Sequence, residues 1–174
     1  MKFFSQQTWQ YILTDILAEV KYLPIALAIG LPAGCFITAL SKHKKKALLR
    51  TLFIIYLAMV FIITLFEREP GSRTGISLIL FETLGGSRAN AYVIENVLLF
   101  IPFGFFIPIL WKCKRRLPVC LLTGLSLSLT IEIIQLLTER GHFQIDDILM
   151  NTIGAGIGAV ASMIRFRQRN DVEK

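Results

Sequence analysis

Charge is scarce in this chain, and what there is keeps to the ends of long apolar runs. Charged residues make up 18% of the 174 and hydrophobic ones 54%, with a mean hydropathy of +0.61. Ordinary soluble domains carry about 25% charge, so a conventional soluble domain is excluded. Cysteine is scarce as well. Cys35, Cys113 and Cys120 form no CxxC pair, so free thiols are expected and no disulfide framework. With two histidines and neither an HExxH nor a GxSxG motif, nucleophilic and zinc-hydrolase chemistry lack their usual signatures. A pI of 9.6 invites nucleic acid. However, the basic residues are not interleaved with aromatics as on single-strand binding surfaces, and no nucleic-acid partner is expected. The start of the chain also lacks the compact apolar core and cleavage site of a removed signal peptide.

What is present is a series of apolar blocks of about 15 to 20 residues, enough to cross a hydrocarbon core roughly 30 Å thick. Lipid offers no partners to backbone amides, so such blocks must be helices. The sequence therefore predicts an all-α polytopic transmembrane bundle of about five spans, at residues 23–40, 47–66, 92–111, 117–138 and 147–164. Residues 1–22 read differently. Asp15, Glu19 and Lys21 interrupt them, while Phe4, Trp9, Ile12, Leu13, Ile16, Leu17 and Val20 recur at helical spacing. An amphipathic helix lying in the membrane interface is expected there; a sixth span is the alternative. The transmembrane domain would cover 23–169, leaving 170–174 as a tail. In the first span Gly30 and Gly34 predict a close helix contact, and Pro24 and Pro32 a kink. Between the second and third spans, residues 76–81 are too apolar for a free loop, and a re-entrant or interfacial piece is expected.

Basic residues orient the bundle. Residues 41–50, 112–116 and the tail hold 13 of the 19 Lys and Arg, with only Asp171 and Glu173 among the acids. By the positive-inside rule the tail is cytoplasmic and the N-terminus outside. That orientation gathers the scattered polar groups of the spans near one surface. Glu132 and Gln135 stand three apart on one helical face, roughly 9 and 5 Å below the outer end of the fourth span at 1.5 Å per residue. Asp146, Asp147 and Asn151 open the fifth span, Glu95 and Asn96 the third. Arg140 and His142 lie in the last turn, and Arg73 and Arg88 in the long outer connection.

A lone carboxylate inside a span costs about 2.5–3.5 kcal/mol on insertion scales and marks a site or a structural partner. Glu132 is thus either a functional group or the mate of Arg140, Arg88 or Arg73. Asp146 and Asp147 serve equally as a helix N-terminal cap and dipole pair. Gln135 and Asn151 suit hydrogen bonds between helices, and the run Gly154, Gly156, Gly158 suits packing. Oxygen ligands at Glu132, Asp146, Asp147 and His142 would suit a hard cation, but no ligand-spacing motif accompanies them, so no metal or cofactor is assigned.

Three motifs stand in order: Glu95-Asn96-Val-Leu-Leu-Phe-Ile-Pro-Phe-Gly104, Glu132-Ile-Ile-Gln135, and Asp146-Asp147-Ile-Leu-Met-Asn151-Thr-Ile-Gly154. In these the chain resembles the VanZ-like family of bacterial membrane proteins. Asn96, Pro102, Gly104, Glu132, Gln135, Asp147, Asn151 and Gly154 match the family pattern. Arg73 looks like the arginine preceding its Asn-Leu-Ile-Pro-Phe-type segment, where this chain has Ser77-Leu-Ile-Leu-Phe81. Gln144 stands where members commonly have aspartate. The resemblance implies a role at the cell envelope, associated with low-level resistance to teicoplanin, and no assigned reaction.

The expectation is therefore a factor in the bacterial cell membrane with an outward-facing polar pocket. Its ligand would be a lipid-linked cell-wall precursor or the glycopeptide itself. Arg73, Arg88 and Arg140 would meet phosphate or carboxylate, which guanidinium binds bidentately. Asn96, Gln135, Asp146 and Asn151 would complete the pocket. The rival readings are an intramembrane enzyme with Glu132 and Asp147 as general acid and base, a small transporter, and a structural factor.

Overall fold

The computed structural model describes residues 4–66, 69–71, 75–111 and 116–172, with side chains described as far as Arg165. Six α-helices account for most of it: α1 (Gln6–Glu19), α2 (Leu23–Leu40), α3 (Lys44–Phe61), α4 (Ser87–Leu110), α5 (Arg116–Leu137) and α6 (Ile145–Val172). Five helical stretches are long and apolar enough to cross a membrane, the number expected from the sequence. The protein is a multi-pass membrane protein. The third block begins at Ser87 rather than at 92, because Ser87-Arg-Ala-Asn-Ala91 is helical without being apolar.

The N-terminal segment does not end before α2. A single 3-10 turn, Val20–Tyr22, joins α1 to α2, so Gln6–Leu40 is helical over 35 residues, about 52 Å at 1.5 Å per residue. Ser5 caps its start, accepting from the Thr8 N–H at 3.1 Å. Thr8, Ile12, Asp15 and Glu19 fall on one stripe of α1 by helical spacing. Thr8 and Ile12 are buried, and Asp15 pairs with Arg88 of α4. Trp9, Leu13, Ile16, Leu17 and Val20 are exposed on the remaining surface. The stripe of Thr8, Ile12, Asp15 and Glu19 is thus the face turned toward the neighbouring helix, while the outer surface mixes these apolar side chains with Gln6, Gln7, Gln10 and Thr14.

The tightest seam runs between α4 and α6. A methyl group built at Gly104 would overlap the Ala155 carbonyl, one at Gly154 the Val97 carbonyl, and one at Gly158 the Ile101 carbonyl. The backbones therefore touch, as small residues permit in membranes. Gly154 and Gly158 face α4, and Asn151 and Ala155 are the α6 residues turned toward α5. Periodicity fixes a face but not its neighbour. Gly30 and Gly34 do make the predicted close contact, packing on Ile55 and Thr51 of α3. Between α3 and α4, the Tyr56 hydroxyl donates to the Leu99 carbonyl at 2.6 Å. Tyr56→Phe is expected to lower stability by about 1 kcal/mol, the usual net worth of such a bond, seen as a small fall in melting temperature in detergent.

We call the end of the bundle where α3 and α5 finish and α4 and α6 begin the polar end. There α3 loosens into a π-helical turn, Ile62–Phe66. The connection onward returns to the α5–α6 turn through a short parallel pairing of β1 (Ile76–Ser77) with β2 (Phe143–Gln144). Backbone bonds from Gly71 to the Glu139 carbonyl and from Phe143 to the Gly75 carbonyl, both 2.9 Å, flank it. At the opposite half, an apolar cavity of about 510 Å³ lies between α3, α4 and α5, lined by Phe53, Phe103, Trp111 and neighbours. Among the described residues it holds no charged group. Cys35 and Cys120 are in no disulfide among the described residues, and the Cys120 thiol donates to the Gly104 carbonyl at 3.7 Å; Cys113 lies outside the described residues.

Candidate functional site

Two kinds of polar group share the polar end. The first kind is spent on the fold. A π turn widens the helix and frees carbonyls that lipid cannot satisfy, and α5 and its turn supply the donors. Gln135 Nε2 donates to the Thr64 carbonyl and Arg140 Nη1 to the Leu65 carbonyl, each at 2.8 Å. The Arg140 guanidinium also stands over the Phe66 ring, 5.6 Å from its centroid. Glu132 is 2% exposed, and its Oε2 accepts from the Gln144 backbone N–H at 2.9 Å, tying α5 to β2. Asn151 Nδ2 donates to Ser128 Oγ at 2.8 Å across the α5–α6 seam, and among the described residues its buried Oδ1 has no hydrogen-bond partner.

Asp146 belongs with these. It sits in the first turn of α6 but does not cap that helix. Its carboxylate accepts from the Phe81 N–H at 2.7 Å, the Thr83 N–H at 3.3 Å and the Thr83 hydroxyl. It therefore holds the loop before α4.

The second kind lines a cavity of about 770 Å³. α4 forms its floor with Arg88, Tyr92, Glu95 and Asn96; α1 forms one wall with Asp15, Ile16 and Glu19. Ile63 and Thr64 of the π turn form another, and His142, Gln144 and Asp147 complete the lining. Asn96 Nδ2 donates to Asp147 Oδ1 at 2.7 Å, so the third and fifth spans meet through two of the motif residues. Arg88 is committed to Asp15 at 2.6 Å and lies over the rings of Tyr11 and Tyr92, 5.1 and 4.5 Å from their centroids. Glu95 lies near Asp15, and among the described residues its buried Oε1 has no hydrogen-bond partner.

Of the residues singled out in the sequence, Arg88, Glu95, Asn96, His142, Gln144 and Asp147 line the cavity. Glu132, Gln135, Arg140, Asp146 and Asn151 are not among its lining residues. Arg73 lies outside the described residues. The oxygens considered for a cation are directed elsewhere, Glu132 to Gln144 and Asp146 to the loop. Among the described residues no three His, Cys, Asp or Glu side chains gather as a metal site.

Sequence reasoning passed over Asp15 and Glu19, which had read as interruptions of an interfacial helix. The signal was available: both fall on the stripe of Thr8 and Ile12, whereas a solvated charge belongs opposite the packed face.

A bundle of membrane-crossing helices with an amphipathic cavity at one end defines a multi-pass membrane protein built around one polar end. The sequence profile of VanZ/LLP1 matches residues 53–166, and the chain belongs to that family. It is 32% identical over 120 residues to Protein VanZ of Enterococcus faecium, covering 65% of this chain and 72% of that protein. No solved structure matches. The family match begins within α3, so α1 and α2, including the cavity wall that carries Asp15 and Glu19, lie outside it.

Proposed function

We propose that this protein acts at the bacterial cell envelope by binding an amphiphilic envelope molecule, or a glycopeptide of the teicoplanin type, in the cavity at its polar end. The lysine and arginine distribution favours a cytoplasmic tail, and in that orientation the cavity faces outward. The observation that carries the reading is the cavity's mixed lining, with carboxylates on α1, α4 and α6 beside Ile16, Ile63, Leu98 and Leu99. Such a site accepts a polar head with an apolar portion.

Its charge balance refines the ligand. Among the described lining residues, Asp15, Glu19, Glu69, Glu95 and Asp147 face Arg88 and His142. Arg88 is already engaged by Asp15, and Arg140 by a carbonyl. A cationic amine would meet Glu95, whose Oε1 has no hydrogen-bond partner among the described residues, more favourably than a phosphate would. Asp147, oriented by Asn96, and Glu95 are the groups assigned to hold it.

The test uses purified protein in nanodiscs, with a glycopeptide bearing a free amine and the same molecule acetylated at that amine. The free amine is expected to bind at least about tenfold more tightly, a difference of about 1.4 kcal/mol. Glu95→Gln and Asp147→Asn should each remove most of that preference. Equal binding of both forms would overturn the charge assignment alone. No saturable binding of either, with susceptibility unchanged on filling the cavity by Ala18→Trp, would overturn the cavity as the site.

A further inference from the structure

Residues 76–84 carry a surface that neither the bundle nor the cavity explains. Leu78, Ile79, Leu80 and Phe81 are consecutive, and each exposes more than half of its area, as does Ile76. The segment is nonetheless held in place. β1 pairs with β2 at one side, Ser77 bonds Glu82, and Asp146 takes the Phe81 and Thr83 amides. Phe81 has φ of 63°, a left-handed conformation unusual for a bulky side chain, and its N–H is fixed to the Asp146 carboxylate.

The position of Asp146 says what lies against this surface. On α6, residues 146, 150, 153, 157, 160 and 164 form one stripe at 100° per residue. Ile153, Ile157, Val160 and Ile164 of that stripe are all exposed. In a membrane-crossing helix, such a stripe faces lipid. Asp146 heads it, about 10 Å above Ile153 at 1.5 Å per residue, and is only 3% exposed because the loop covers it. A bare carboxylate there would face the bilayer, which is costly.

We infer that residues 76–84 are a membrane-inserted flap lying in the leaflet at the polar end, and that Asp146 is the residue that positions it. The exposed side chains continue the lipid-facing surface of α6 upward. Apolar interfacial elements bury their apolar face about 5–10 Å into the head-group boundary, and the flap meets α6 at its first turn. The flap gives Asp146 its hydrogen bonds, and Asp146 keeps the flap flat against lipid.

A single tryptophan placed by Ile79→Trp, in a Trp9→Phe, Trp111→Phe background, reports the surroundings in nanodiscs containing brominated phospholipids. Ile157→Trp in the same background serves as the lipid-facing reference. Bromines near the top of the acyl chains should quench the residue-79 reporter at least about twofold more than bromines at the chain ends, as an interfacial depth requires. Asp146→Ala should reduce that quenching by about half or more, and Asp146→Asn, which keeps an acceptor oxygen, by less. Quenching by aqueous iodide and not by bromolipid would mean a water-facing loop. Quenching by neither would mean a surface covered by a second copy or another protein. Either result overturns the flap.

Discussion

Gly104→Ala is expected to cost the bundle about 3 kcal/mol or more, and Gly104→Leu to prevent its assembly, read as loss of the monodisperse peak after detergent extraction. The added carbon would meet the Ala155 carbonyl, its carbon and its Cα. All three are backbone atoms, which cannot turn aside as a side chain does. Overpacking of a yielding site costs about 1–3 kcal/mol, and this site does not yield. Gly154 and Gly158 meet backbone in the same way at Val97 and Ile101, so α6 cannot back off from Gly104 without losing both neighbouring contacts. Gly156→Ala is the control. Its new methyl would meet only the tip of Leu121 at 3.1 Å, and a change within about 1 kcal/mol is expected. Equal loss at 104 and 156 would mean that helix propensity or insertion, rather than the seam, governs these glycines.

Glu132 carries the second large effect. Glu132→Ala is expected to destabilise the protein by roughly 3 kcal/mol or more, because it takes the acceptor from the half-buried Gln144 amide and empties a polar position 2% exposed. Glu132→Gln retains an oxygen for that amide and should cost about 1 kcal/mol. Thermal melting in detergent separates the two. A carboxylate serving only a ligand would give the opposite pattern, with both variants as stable as the parent and both defective in binding. Glu95→Gln, on the cavity floor, is expected to show that opposite pattern.

These contrasts mark how far the chain could be read without its structure. The spans were legible because an apolar block of 18 or more residues has one solution in lipid. The π turn at 62–66 was not: it arises where α3 must present two carbonyls to Gln135 and Arg140, a tertiary demand that no local pattern records. Glu132, Gln135 and Asn151 were legible as polar residues on the packed faces of their helices. What each one touches was not, since a helical face says nothing of the element opposite. Asp146 shows the limit best. In sequence it is the natural cap of α6, and only the folded loop reveals that its carboxylate serves residues more than sixty positions earlier. The wall from α1 was hidden because charges in a short amphipathic segment are normally assigned to water.

The return of the long connection to the α5–α6 turn also sets an order of events during synthesis. When α3 enters the membrane, the partners of its last turn do not yet exist. Gln135 lies 71 residues after Thr64, and Arg140 lies 75 after Leu65. The same holds for Ile76, which waits for Phe143. The first half of the chain must therefore be inserted with bare carbonyls and an open apolar loop. The polar end closes only when the last two helices arrive, so a ribosome stalled before α6 would leave the spans in place and the cavity unmade.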